Sequence, residues 1–241
     1  MAIKNTPQAG PNQGQEDENK VLKYGELVQT NRNKIVTISL AVIALAIVVI
    51  FLRNSMEETA EEQKNQASVS LDRIMPYVQR ADYEKALNGD PETKVRGEDV
   101  IGLIEIVNEF RDTDQGKMAA FYAGDVYLQM GQPDMAIDYF DIALNSTSRV
   151  ILSGANAGLG AVYETKKEYD KAAEYFEKAA TNAESEDAEM RYRYYMAMNM
   201  ELGGKSEEAE KIYREISEKA KFSEFGKFSK IALQRLGTII E

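Results

Sequence analysis

The side chains that most often carry catalysis are absent from this chain. Its 241 residues include no cysteine and no histidine. That excludes disulfides, thiolate metal sites and an anchor through an acylated cysteine, and it removes the commonest general base and metal ligand. Carboxylates remain, with 40 Asp and Glu against 29 Lys and Arg and a net charge of −11. The tightest group is Glu57, Glu58, Glu61 and Glu62. Four carboxylates could hold a cation, but no oxygen-rich loop or glycine turn shapes these into a cage, and a solvated helical face is the simpler reading. Acid–base pairs of Asp and Glu abound, yet no glycine-rich phosphate loop, metal-ligand spacing or nucleophile constellation accompanies them. Asn145-Ser146-Thr147 matches a glycosylation acceptor but falls at a helix end. No enzyme, cofactor or metal is expected, and binding is what remains.

The element that must position any binding surface is the apolar run Ile35–Leu52. Eighteen residues pass without a charge; thirteen are Ile, Val, Leu or Phe, three are Ala, and only Thr37 and Ser39 are polar. As a helix the run is about 27 Å long, close to a bilayer's hydrocarbon thickness. Each central Leu, Ile, Val or Phe favours insertion by roughly 0.3–0.6 kcal/mol. A strand of this length is rare. A cleaved signal peptide fits poorly, because 34 residues precede the run and Phe51-Leu52-Arg53-Asn54-Ser55 lacks small residues at cleavage spacing. The run predicts one transmembrane helix over 35–53 and a lipid-bilayer partner for Ile35–Leu52. Lys20, Lys23, Arg32 and Lys34 before it outnumber Arg53 and Lys64 after it, which predicts an N-terminus inside and a C-terminal domain outside. Residues 1–34 carry net +1, so the part beyond the run carries −12. That balance disfavours nucleic acid and anionic lipid as partners of the outer part.

Residues 1–34 form a leader whose first 18 residues, rich in Gln, Asn, Gly and Pro, read as disordered. Val21, Leu22, Tyr24, Leu27 and Val28 could make a short amphipathic helix, with a loosely ordered leader as the simpler expectation. Residues 54–66 predict a polar helical stalk, and 67–241 a helical domain. Ala67, Leu71, Ile74, Met75 and Val78 are spaced for a helix that Pro76 is expected to kink or restart. The helical pattern returns at Tyr83 and Ala86 and stops at Asn88-Gly89-Asp90-Pro91, a turn signal. Val100, Leu103, Ile104, Val107 and Phe110 mark the next helix, with Glu98 and Asp99 in its first turn. From there the chain reads as successive helices without a strand, and the fold class expected is all-α.

Self-similarity organises that domain. Gly124, Tyr127, Gly131, Ala136, Phe140 and Ala143 recur as Gly160, Tyr163, Lys167, Ala172, Phe176 and Ala179, then as Ala197, Met200, Gly204, Ala209, Tyr213 and Ile216. The offsets of 36 and 37 slightly exceed the tetratricopeptide period of about 34. In type and spacing these residues resemble the tetratricopeptide repeat. The resemblance implies paired helices over about 117–150, 153–186 and 190–221, a cap over 222–240, and a divergent leading hairpin within 67–111. Gly124, Gly160 and Ala197 let paired helices approach, and Phe140, Phe176 and Tyr213 fill the gap between pairs. Lys167 in place of the turn glycine, Pro133 and Ser206 in place of the turn aromatic, and the missing final proline depart from the pattern. Phe225, Phe228, Ala232, Leu236 and Ile239 are the expected buried face of the cap.

The same resemblance implies a concave face lined by the first helix of each pair, which holds an extended peptide or partner helix. By position that face takes Met118, Phe121, Asp125 and Leu128 from copy one. Copy two gives Gly154, Ala157, Ala161 and Glu164; copy three gives Arg191, Tyr194, Met198 and Glu201. Met and aromatic residues at helical spacing serve a core as readily as a groove, and both readings stay open here for Met118, Met198 and Tyr194.

A wider likeness spans Val21 to the C-terminus. A short leader, one inward-anchored span and an exported acidic repeat domain resemble the YfgM-type ancillary subunits of the bacterial Sec translocon. The most specific stretches are Ala86-Leu87-Asn88-Gly89-Asp90, Asn108-Glu109-Phe110 and Ala119-Ala120-Phe121-Tyr122-Ala123-Gly124. This resemblance implies a bacterial inner-membrane protein with its C-terminal domain in the periplasm. Its implied partners are translocon subunits, periplasmic chaperones and exported clients, with no small-molecule substrate. The second reading is a scaffold or assembly subunit of another envelope or bioenergetic membrane complex, with one permanent protein partner.

Overall fold

The computed structural model describes residues 22–23 and 29–237. The expectations for residues 1–18, for Val21, Tyr24, Leu27 and Val28, and for Ile239 lie outside the described residues. The chain divides into two units, residues 1–59 and 60–241. Helix α1, Arg32–Gln79, contributes to both. In the first unit its apolar run has mean hydropathy 3.2 and no buried share, with large side chains from Val36 to Leu52 at least half exposed. A core helix would bury them, so this helix is compatible with a single-pass membrane anchor. Helix α1 runs through Pro76 to Gln79, so the chain does not restart a helix there.

The second unit is a stack of helix pairs. After α1 come α2 (Tyr83–Asn88), strands β1 (Gly89–Val95) and β2 (Glu98–Ile101), and α3 (Leu103–Glu109). Three regular pairs follow: α4 (Asp114–Gln129) with α5 (Pro133–Ala143), α6 (Arg149–Thr165) with α7 (Tyr169–Asn182), and α8 (Glu186–Leu202) with α9 (Ser206–Lys219). Helix α10 (Glu224–Arg235) closes the described residues. Side-chain oxygens of Thr113, Ser185 and Ser223 accept the backbone N–H of Gly116, Ala188 and Gly226 and cap α4, α8 and α10, at about 1 kcal/mol each. Pro133, which breaks the repeat pattern in sequence, sits at the first turn of α5, where no intrahelical N–H is lost.

The antiparallel β1–β2 hairpin corrects the sequence reading. Glu98, Asp99 and Val100, expected in a helix, lie in β2, and the turn signal at Gly89 opens a strand. Its origin is visible in the four turns that join paired helices. Each has one residue at positive φ, Ala81 (58°), Gly131 (72°), Lys167 (59°) and Gly204 (85°). Each also has one long backbone bond, from Asp82 N–H to Tyr77 O, Gln132 to Tyr127, Glu168 to Tyr163 and Lys205 to Met200, at 2.8–3.0 Å. Successive turns of the regular pairs are 36 and 37 residues apart, whereas Ala81 precedes Gly131 by 50. The surplus of 14 matches Gly89–Gly102. The hairpin is thus an insertion into the second helix of a leading repeat, with α2 and α3 as its severed halves. A Cβ on Gly102 would stand 2.2 Å from Leu87 O and 2.5 Å from Gly89 N, so only glycine lets the chain leave and re-enter the helix at one point.

Small and large residues interlock along the regular pairs. A Cβ on Gly124 would meet the Phe140 ring at 2.8 Å, one on Gly158 at 2.3 Å, and one on Gly160 would meet Phe176 at 3.0 Å. Phe140 is fully buried between its own pair and the next, while Ala136, Ala172 and Ala209 are fully buried where second helices cross first ones. In α10 the buried residues are Gly226, Ser229, Ala232 and Leu233, with Phe225 and Leu236 half-buried. Phe228, expected in the core, stands at its edge, exposed on one side and with its ring against those of Tyr194 and Phe225.

Candidate protein-binding face

The first helices of the three pairs lie side by side through specific contacts. The Phe121 ring of α4 packs on Gly154 of α6, where a Cβ would stand 2.9 Å from it. Asn199 of α8 donates to Glu164 of α6 at 2.8 Å. Arg235 of α10 donates to Glu201 of α8 at 2.6 and 3.2 Å, and the Tyr194 ring lies 5.9 Å from that of Phe228. One surface therefore runs over α4, α6, α8 and α10.

Most positions chosen from sequence stand on these helices half-buried, but they do different things. Phe121 touches Gly154 and lies 6.2 Å from the Phe140 ring. Tyr194 contacts the rings of Tyr195, Tyr213, Phe225 and Phe228 within 5.9 Å. Both serve as packing between repeats. Glu164 and Glu201 are held as acceptors, the latter also by the Tyr213 hydroxyl at 3.1 Å. Burial first and the Glu201 charge second push the Tyr213 phenol well above its ordinary range. Met118 and Leu128 pack on the core from its edge, and Ala161 does so in copy two beside Ala157. Met198 is half-buried, and Arg191 is exposed over the Tyr192 ring, 4.8 Å from its centroid. Asp125 is half-buried with no ion pair among the described residues; burial raises its pKa, against a weaker lowering by a hydrogen bond from Gln129.

Sequence reasoning missed three features. Asn199 is fully buried between Glu164 and the Tyr195 carbonyl, with its own Oδ1 unpartnered among the described residues. Its position three residues past Met196 on a first helix gives no sign of this in sequence. Exposed Phe228 and Ile231 extend the face onto α10. A cavity of about 650 Å³ also lies between α1 and the inserted hairpin, lined by Asn65, Val69, Arg73, Glu98, Asp99 and Phe110 among others, with Arg73 paired to Glu98 across it. In β1 of the same hairpin Asp90 is buried as acceptor to Tyr77 (2.7 Å), Lys85 (2.9 Å) and Thr93 (2.9 Å). Those donors, Lys85 foremost, hold its carboxyl far below the usual range. These bonds anchor the hairpin base to α1 and α2. Among the described residues no group of three or more Asp or Glu is arranged to hold a metal ion, and Glu57, Glu58, Glu61 and Glu62 are all exposed.

Comparison with known proteins agrees with this geometry. A family model described as tetratricopeptide repeat matches residues 154–186, the α6–α7 pair. No curated protein matches. Two crystal structures of TPR-like repeats from Podosopora anserina, in a protein assigned as a kinesin light chain, one of them a point variant, superpose with TM-score 0.54. They share 14% identity over 72% of this chain and 88% of theirs. A crystal structure of MamA protein aligns with TM-score 0.42 and 22% identity over 65% of this chain and 95% of that one. At 14% identity the first likeness speaks to fold, and the fold is an all-α tetratricopeptide solenoid.

Proposed function

We propose that this tetratricopeptide-fold chain is a non-enzymatic, membrane-anchored module that binds other proteins on the surface made by its first helices. The observation that carries the reading is the continuity of that surface over α4, α6, α8 and α10, held by Phe121–Gly154, Glu164–Asn199 and Glu201–Arg235. Solenoids of this fold present such a surface to polypeptides. The exposed apolar run of α1 supports an anchor. Anchoring raises the effective concentration of a weak binding face for chains that emerge nearby. With the sequence likeness to YfgM-type subunits, this supports a place beside the bacterial translocon and its periplasmic chaperones. The span then lies in the inner membrane, the N-terminus in the cytoplasm and the repeats in the periplasm.

Photocrosslinking in cells tests the face. Because Phe121 and Tyr194 are packing residues, the probe belongs at Met198, with Glu177 on the second helix α7 as control. Translocon subunits and exported chains captured from 198 and not from 177 are the expected result. Equal adducts from both positions would remove the face. Carbonate extraction tests the anchor separately, since a peripheral protein is released into the supernatant.

A further inference from the structure

The first-helix row continues beyond the third repeat. Arg191, Tyr194 and Met198 recur 37 residues later as Phe228, Ile231 and Arg235. The contacts confirm the equivalence: Phe121 packs on Gly154 of the next first helix, and Tyr194 packs on Phe228 of α10, the corresponding pair two repeats along. Among the described residues nothing covers the row at this end. Phe228 is 39% exposed and Ile231 59%, and Phe222, just before the α10 cap, is 89% exposed. A residue in that place is often stapled by an apolar side chain at the fourth helical position, but here that position is Lys227.

Charge singles out the same end. Residues 219–235 carry Lys219, Lys221, Lys227, Lys230 and Arg235 against Glu224 alone, net +4 in a chain of net −11. Arg235 is engaged by Glu201, while Lys221, Lys227 and Lys230 have no ion pair among the described residues. Further along the same row stands the carboxylate of Asp125, without a cation among the described residues.

Resting on the reading of the first-helix surface as a protein-binding face, we infer that its α10 end is a seat for polypeptide segments combining apolar side chains with carboxylates. Phe228 and Ile231 take the apolar side chains, and Lys227, Lys230 and Arg191 meet the carboxylates. A basic apolar patch also suits anionic lipid. A polypeptide is favoured because Phe228 and Ile231 are continuous with the row of Tyr194 and Arg191 rather than set apart from it.

The test uses the full chain in phosphatidylcholine nanodiscs and two short fluorescein-labelled peptides. Both share the same Leu and Phe positions, with Glu filling the remainder in one and Lys in the other. Anisotropy should show the Glu peptide binding at least about tenfold more tightly, a difference of about 1.4 kcal/mol. High salt should weaken it. Ile231→Glu, on an exposed position, and K227E/K230E should each weaken it by about tenfold or more. Equal or tighter binding of the Lys peptide, or an unchanged affinity after Ile231→Glu, overturns the seat. Binding that responds to Met198→Glu but not to Ile231→Glu leaves the face standing and removes only its α10 end. Loss of peptide binding when phosphatidylglycerol enters the nanodisc assigns the patch to lipid and also overturns it.

Discussion

The junction between the first two regular repeats and the junction between the third repeat and α10 occupy equivalent places in the solenoid but are built from different chemistry. At the first, Phe140 fills the space left by Gly124 and Gly158, and Phe121 covers Gly154, so the contact is apolar and matched to within a methyl group. At the second, Tyr194 stands among Tyr213, Phe225 and Phe228, and the Tyr213 hydroxyl and Arg235 converge on Glu201. A repeat fold requires that each slot be filled, not that it be filled alike. The first solution fixes geometry; the second leaves aromatic edges and charge at the surface.

The sharpest test of this contrast is Gly158→Ala. The added Cβ would stand 2.3 Å from the ring of Phe140, which is fully buried and held against Gly124 as well. Overpacking outweighs the better helix propensity of alanine, and a net loss of about 2 kcal/mol in denaturant unfolding is expected. An unchanged midpoint would mean that this junction yields as readily as the other. Gly160→Ala, at 3.0 Å from Phe176, should cost less.

At the second junction Tyr213→Phe should cost about 1 kcal/mol, the loss of one hydrogen bond to a carboxylate that Arg235 still holds. A cost as large as that of Gly158→Ala would show that the polar cluster, and not the aromatic packing, holds α10 in place.

Two carboxylates with opposite shifts separate the structural part of the molecule from the binding face. The folded pKa of Asp90 is depressed, so its contribution is present above the unfolded value near 4 and is lost as pH falls from there toward the folded pKa. Asp90→Asn should therefore destabilise at neutral pH and flatten the acid limb of the stability profile. The folded pKa of Asp125 is raised, so its charged form opposes folding above that pKa, and the opposition fades as pH falls through it. Asp125→Asn should stabilise at neutral pH, with the gain disappearing in acid. Melting temperatures of both variants across pH 3 to 7 check the signs, and the same sign for both would remove the distinction.

What was legible in the sequence follows the same division. Gly124, Gly160 and Ala197, the alanines at 136, 172 and 209, and the aromatics Phe140, Phe176 and Tyr213 recur because each repeat poses the same steric problem, so the spacing of the regular pairs is legible in residue types. The leading repeat could be suspected but not resolved. Its turn carries Ala81 in place of glycine, and its second helix is cut by Gly89–Gly102, whose Val100 and Ile101 read equally well as the start of a helix. The candidate face was legible as a row but not as contacts. Whether Phe121 or Tyr194 meets solvent depends on the residue opposite it, Gly154 in one case and Phe228 in the other, and no periodicity within one helix reveals that.

The smallest expected effect asks whether the third repeat can be given the chemistry of the first two. Tyr127 stacks on Tyr139 at 5.2 Å between centroids, and Tyr163 on Tyr175 at 5.3 Å, in equivalent places beside the turn. In the third repeat those places hold Met200 and Ile212, both half-buried against its aromatic clusters. The double substitution M200Y/I212Y should build the missing stack and raise stability by about 0.5–1 kcal/mol, while either single change should give less than half of that. If the double variant is destabilised instead, the Met and Ile are fitted to the neighbouring Phe176 and Tyr213 clusters, and the third repeat's departures from the pattern are part of how its junction with α10 is packed.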